Sequence, residues 1–258
     1  MPPSLPDLLD DVRAEQADLR AFVSGADLDT PTPAQGWDVR DAVAHLAGTD
    51  VEALKAATRP EEFLAGLAEA AQDVEGFLNA QLTARRGLSR EELMAQWQAS
   101  FDAMIAAFAD VPAGAKVPWY GPPMSPTSFA TARLMEYWAH GQDVVDALGV
   151  VRAPTDRLRH VCHLGLRTLG FAYANRGRTV PLEPVALELT APDGSTWSLG
   201  EGAQRVSGPA LDFCLLVTQR RHRDDLALIA HGDAADDWLD VAQCFAGPPG
   251  PGRQRIQD

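Results

Sequence analysis

The sequence predicts a mostly α, α+β protein: an antiparallel helix bundle over residues 1–150, followed by a smaller α+β domain over residues 151–258. Three observations carry that expectation. Apolar residues recur at helical spacing through most of the first 150 positions. Later, a stretch of alternating apolar and polar residues is divided by a Pro-Asp-Gly turn at Pro192–Gly194, the pattern of a β-hairpin. Between the two regimes the helical pattern resumes once and then gives way. With 258 residues, 46% of them hydrophobic and 22% charged, the chain can bury a core without disulfide staples and is not expected to be disordered.

The elements follow in order. Leu5, Leu8, Leu9, Val12, Leu19, Phe22 and Val23 share one helical face, and Ser4 with Asp7 three residues on supplies an N-cap. Residues 24–36, with Pro31, Pro33 and Gly36, read as a loop; Asp38 then caps a second helix carrying Val39, Val43, Leu46 and Ala47. Two further helices are expected between Glu61 and Asp110, the second opened by Ser89 and Glu92 at capping-box spacing. The proline-rich segment from Val117 to Ser128 cannot be helical throughout, so the next helix is expected over Phe129–Leu148, closed by Gly149. A helix over Thr155–Ala174 follows, then the hairpin within Pro184–Gly200, a third short strand at Val206, an apolar helix opened by Gly208-Pro209 and running through Gln219, and a last helix over Ala234–Phe245.

Charge and composition exclude several roles. The formal net charge of −14 has the wrong sign for gripping a phosphate backbone, so nucleic acid is not an expected partner. No apolar run approaches the ~20 residues that span a bilayer, so no membrane partner is expected either. The acidic start MPPSLPDLLDDVR lacks the basic and apolar regions of a signal peptide, which predicts a cytoplasmic protein. Cys162, Cys214 and Cys244 match neither a disulfide framework nor a CxxC site and read as small buried residues. There is no P-loop, GxSxG or HExxH; Gly200 and Gly202 are followed by Arg205 where a dinucleotide fingerprint needs its third glycine.

The positions that can carry chemistry are His45, Glu136 and His140. Glu136 and His140 are four apart on the strongest helix and so project from one face, the spacing that two ligands of one ion require. His45 sits beside the apolar side of the second helix. Two imidazoles and a carboxylate form a common catalytic zinc set with a fourth position open. Spacing alone leaves this open against an ordinary helix-surface Glu–His pair and a hydrogen-bonded core histidine.

The strings GWDVRDAVAHLAG and RLMEYWAHGQDVVDALG, in that order and about ninety residues apart, resemble the metal-binding DinB superfamily, and within it the mycothiol-dependent maleylpyruvate isomerase family. The C-terminal strings VSGPALDFCLLVTQRRHR and WLDVAQCFAGPPGPGR resemble a subfamily described only as metal-binding proteins. The resemblance implies a DinB-like four-helix bundle, with His45, Glu136 and His140 holding a divalent metal, zinc or alternatively nickel or manganese, and with mycothiol as thiol cofactor for a small-molecule substrate. It implies an open coordination position facing the cleft between bundle and C-terminal domain, where isomerase or transferase chemistry would occur. The alternatives are thiol-independent hydrolase, cyclase or lyase chemistry, and a non-catalytic protein binding apolar ligands, since the C-terminal part resembles sterol-carrier-like modules. Of the 22 basic residues only Lys55 and Lys116 are lysine, a usage that agrees with an actinobacterial source, where mycothiol occurs.

Several other residues are candidates around such a centre. Asp143 would orient His140 through its other ring nitrogen; its competing reading is a solvated helix position. Arg220 and Arg221, in a basic cluster with His222 and Arg223, would clamp a carboxylate of substrate or thiol, or else form a solvated helix end paired with Asp224 and Asp225. Trp37 and Trp138 would wall a cofactor or apolar substrate; Trp119 and Tyr120 read the same way or as core. His160, Cys162 and His163 do not share one helix face and are not expected to form a cluster.

Overall fold

The computed structural model describes residues 3–70, 82–250 and 252–256, and divides them between two compact units, Met1–Val151 and Arg152–Asp258. The first is helical: α1 (Leu5–Ser24), α2 (Val39–Thr58), α3 (Pro60–Ala70), α4 (Arg90–Asp110) and α5 (Pro126–Leu148). The expectation of two helices between Glu61 and Asp110 finds α3 and α4, with residues 71–81 outside the described residues. No helix among the described residues is long and apolar enough to cross a membrane.

The caps are those the sequence offers. The Ser4 hydroxyl accepts from the Asp7 backbone N–H, Asp38 and Asp41 form a capping box at the head of α2, and Ser89 and Glu92 form another at the head of α4. The helix expected over Phe129–Leu148 starts three residues earlier, because Pro126 occupies the first turn, where its missing N–H costs nothing, and Ser125 caps it. It ends at Gly149, whose φ of 63° is the left-handed conformation a side chain would resist. In the preceding segment, Val117 and Met124 exchange both backbone hydrogen bonds, and Trp119 stacks on Phe63.

The bundle core is a set of ridges built from Leu8, Val12 and Leu19 of α1, Val43, Leu46 and Ala53 of α2, Leu93, Trp97, Phe101 and Phe108 of α4, and Phe129, Leu134 and Val144 of α5. α2 packs mainly against α4 and α1 mainly against α5, while α2 and α5 face each other across the bundle interior. That last pairing places the candidate ligands.

The second unit contains α6 (Leu158–Arg167), α7 (Leu169–Ala174), β1 (Val185–Thr190), β2 (Thr196–Leu199), β3 (Gln204–Pro209), α8 (Ala210–Val217), β4 (Ile229–His231) and α9 (Asp233–Val241). The single helix expected over Thr155–Ala174 is two, broken where the Thr168 hydroxyl bonds back to the carbonyls of Leu164 and Gly165. β1 and β2 form the expected hairpin, with Gly194 at φ 83° and the Asp193 side chain accepting from Ser195 N–H. Their neighbours are not what local pattern suggests: β1 pairs in parallel with β3, and β4, a strand absent from the sequence reading, adds antiparallel to β3, for an order β2-β1-β3-β4. The apolar helix expected through Gln219 ends at Val217, and Gln219 turns the chain with φ 58°. The last helix ends at Val241 rather than Phe245; the buried Gln243 instead spends its amide on the carbonyls of Phe245 and Gly247, holding the chain in a turn. Cys162, Cys214 and Cys244 are all buried and free, with the first two thiols 3.5 Å apart between α6 and α8.

Candidate metal centre

Three of the sequence-nominated residues meet. α2 contributes His45 and α5 contributes Glu136 and His140, and one ligand atom from each lies within 4.8 Å of the others. Among the described residues this is the one group of three or more His, Cys, Asp or Glu side chains with that property. Glu136 Oε2 stands 3.8 Å from His45 Nε2 and 3.4 Å from His140 Nε2, and the two imidazole centroids are 4.7 Å apart. All three side chains are partly buried, between 12% and 24% exposed, so the group is open on one side without being at the bulk surface.

The electrostatics favour the forms a cation needs. Burial, only partly opposed by Glu136, lowers the His45 pKa to about 4, so the ring is neutral at neutral pH with a lone pair available. Burial alone would raise Glu136, but the two imidazoles beside it hold its carboxyl well below the usual range, so it is an anion. A neutral imidazole and an ionised carboxylate are the donor states that a divalent ion of borderline softness binds. The donor set therefore fits a metal on its own chemistry.

Trp37 reaches the centre. It rides on a short loop in which Thr32 N–H and hydroxyl both donate to the Trp37 carbonyl and Gly36 takes φ 77°, delivering the indole over the first turns of α2. Its ring stacks on His140 at 5.6 Å and 14°, and leans on His45 at 5.2 Å and 53°. Trp138, two residues from both Glu136 and His140, projects roughly 200° round the helix from them and is buried. Asp143 is 1% exposed, so the solvated reading of that position fails; its Oδ2 lies 3.6 Å from His140 Nδ1, on the ring edge away from Glu136.

Arg220 and Arg221 belong to the second unit, after α8, where Arg220 Nη1 donates to the Thr218 carbonyl and Arg221 Nη1 to the Arg220 carbonyl. Of the pairing expected with Asp224 and Asp225, His222 supplies one part: its Nδ1 lies 3.8 Å from Asp224 Oδ2 and accepts from the Asp224 backbone N–H. Arg223 turns the other way and bridges Asp236 and Asp240 of α9. Of the other aromatic candidates, Trp119 and Tyr120 pack with Phe63 and with each other.

Sequence reading missed the layer beneath the ligands. Asp50, fully buried, accepts from Arg133 Nη2 at 2.8 Å and from the Tyr137 hydroxyl at 2.5 Å, and that hydroxyl accepts from Trp97 Nε1 at 2.9 Å. A charged residue inside an apolar stretch of each helix, Asp50 on α2 and Arg133 on α5, was the available signal.

Comparison with known proteins agrees with the architecture. Residues 9–145 match the family model described as the mycothiol maleylpyruvate isomerase N-terminal domain, and residues 182–231 match one described as wyosine base formation. Two uncharacterised proteins of Mycobacterium tuberculosis, from strains CDC 1551 / Oshkosh and ATCC 25618 / H37Rv, are each 47% identical over 248 residues, covering 94% of this chain and 96% of theirs. Among solved structures, a mycothiol-dependent maleylpyruvate isomerase superposes with a TM-score of 0.57 at 17% identity over 84% of this chain and 90% of that one. A histidine-to-alanine mutant of such an isomerase gives 0.58 at 16% identity over 88% and 93%. These likenesses show a shared fold, and the match over residues 9–145 shows the lineage: the chain belongs to the mycothiol maleylpyruvate isomerase N-terminal domain family.

Proposed function

We propose that this protein is a metal-dependent enzyme of the thiol-assisted isomerase or transferase kind, acting on a small activated unsaturated or otherwise electrophilic substrate. The supporting observation is the convergence of neutral His45, ionised Glu136 and His140 on one partly open point. Zinc suits two imidazoles and a carboxylate best, and nickel or manganese can use the same donors. A divalent ion held there would supply Lewis acidity that keeps a thiol cofactor, mycothiol in this reading, as thiolate at a pH where a free thiol of pKa ~8.5 is mostly protonated.

The chain's own residues do the rest. Asp143 faces His140 Nδ1 and so turns Nε2 toward Glu136, fixing which nitrogen is presented. Trp37 stacks on the His140 ring and leans on His45, keeps water from that side and offers an apolar wall to the substrate. Arg220 and Arg221 are the candidates to take an anionic group of substrate or thiol, a role the whole-protein charge cannot fill. In the reaction, the thiolate sulfur forms a C–S bond to one carbon of a cis double bond as the π pair moves into an adjacent carbonyl. The resulting single bond rotates, and expulsion of the same thiolate restores the double bond as trans, so no oxidant or net proton is consumed.

The test is a cobalt-substituted protein titrated with mycothiol, with glutathione as control. Sulfur ligation adds charge-transfer intensity that oxygen donors lack, so the spectrum should change with mycothiol and much less with glutathione. A cobalt form that answers an oxygen donor but stays silent with mycothiol refutes the thiol step and makes hydrolase, cyclase or lyase chemistry the better account. A protein that takes up no zinc, nickel, manganese or cobalt loses the enzyme reading in favour of apolar-ligand binding.

A further inference from the structure

α2 and α5 run antiparallel past each other, so residues rising along one meet residues falling along the other: His45 meets Glu136 and His140, and Asp50 meets Arg133 and Tyr137. The Asp50–Arg133 pair is therefore the next rung between the same two helices, one turn further into the bundle than the ligands. Both members are buried, with Asp50 at 0% and Arg133 at 3% exposure. Tyr137 and Trp97 extend it to α4, so three helices are tied at one carboxylate. The guanidinium also lies 5.5 Å from the Tyr137 ring centroid.

Stability does not explain this rung. Removing two charges from water costs several kcal/mol per ion, and apolar residues of similar volume commonly replace a buried pair at no loss. Directional bonds do something apolar contacts cannot: they fix how far one helix is slid along the other. A slide of one residue moves a ligand by about 1.5 Å, whereas metal–ligand distances tolerate about 0.2 Å.

We infer that Arg133 and Asp50 are positioning residues for the metal centre, holding the register of α2 against α5 in which His45 meets Glu136 and His140. The inference rests on the metal reading above and adds to it a part of the machinery that touches no ligand.

The test compares zinc affinity, by competition with a chromophoric chelator, with the stability of the chelator-treated protein in urea. In the double variant Asp50→Leu/Arg133→Met the volume is kept and the directional bonds are gone. It should unfold cooperatively with the wild-type m-value yet bind zinc 10- to 100-fold more weakly, the usual cost of losing an outer support of a metal site. Arg133→Lys, which keeps a charge able to reach Asp50, should recover part of that loss. If the double variant does not fold, Asp50→Asn and Arg133→Lys serve instead, and affinity should fall further than stability does. Wild-type affinity in folded variants overturns the inference and leaves the metal reading intact; a wild type that binds no zinc removes both.

Discussion

Replacing His45 by Asn should change how the metal-free protein responds to acid, by an amount the site itself sets. In the folded protein His45 titrates at about 4, against 6.5 for an ordinary histidine. The unfolded chain therefore binds this proton through a pH range in which the folded chain refuses it. Stability from His45 is fully present above pH 6.5 and is lost as pH falls toward 4. With 1.36 kcal/mol per pKa unit, the loss is about 2 kcal/mol by pH 5 and about 3 kcal/mol by pH 4. Asp50 works against it. Burial, despite Arg133 and Tyr137, pushes its carboxyl up to about 6, so its contribution is present below pH 3.8 and lost as pH rises through 6. The two groups nearly offset one another in wild type between pH 4 and 6, and only the difference between proteins isolates His45. Urea unfolding of chelator-treated wild type and His45→Asn at pH 7.5, 6 and 5 should show the variant gaining about 2 kcal/mol on wild type over that range. Parallel curves would refute the reasoning, because they would mean that the partly buried ring charges as readily as one in water.

Gly165 is where α6 crosses α8. A Cβ there would stand 2.9 Å from Phe213 Cε1 and 3.0 Å from Val217 Cγ1, both in fully buried side chains. Overpacking of roughly 1–3 kcal/mol outweighs the ~1 kcal/mol of helix propensity that alanine brings, so Gly165→Ala should lower the urea midpoint by the equivalent of about 1 kcal/mol; a raised midpoint would show that the crossing has slack. The buried thiols give a chemical check on the second unit. Burial pushes the Cys214 thiol well above its ordinary pKa and Cys162 lies against it. Neither should react with maleimide at pH 7.5 until urea opens the fold, and fast labelling of the native protein would contradict the packing described.

What the sequence made legible is local. Ser4, Asp38, Ser89 and Gly149 mark helix ends because a cap is decided within one turn of chain, and Glu136 with His140 could be placed on one face because helical spacing is fixed. Pro126 misled by one turn, since a proline that breaks a helix interior is also the residue that best begins one. Non-local partners were not legible. Nothing near Val185 announces that it lies beside Gln204 in parallel, and β4 is three residues at an edge, too short for alternation to show. His45 is the instructive case: its helix was clear, but its meeting with Glu136 and His140 came from resemblance and then from the fold. For Asp143 the sequence left two readings, orienting His140 or standing solvated, because a charged residue on a helix is usually exposed. It is buried because it sits on the ligand helix one turn past His140. Asp50 and Arg133 went unread for the same reason: a buried charge is recognisable only when its counter-charge, eighty-three residues away, is already in view.

The indole lying flat against His140 also makes the centre optically self-reporting. An excited tryptophan beside an imidazole is quenched far more when that ring is cationic than when it is neutral, and a paramagnetic or heavy ion held by the histidines would quench it further. Trp97 and Trp238 are buried in the cores of their units, whereas Trp37 lies against both histidines. The difference spectrum between wild type and Trp37→Phe thus isolates one chromophore, and the protonation and occupancy of the centre can be followed by fluorescence in real time with no label attached.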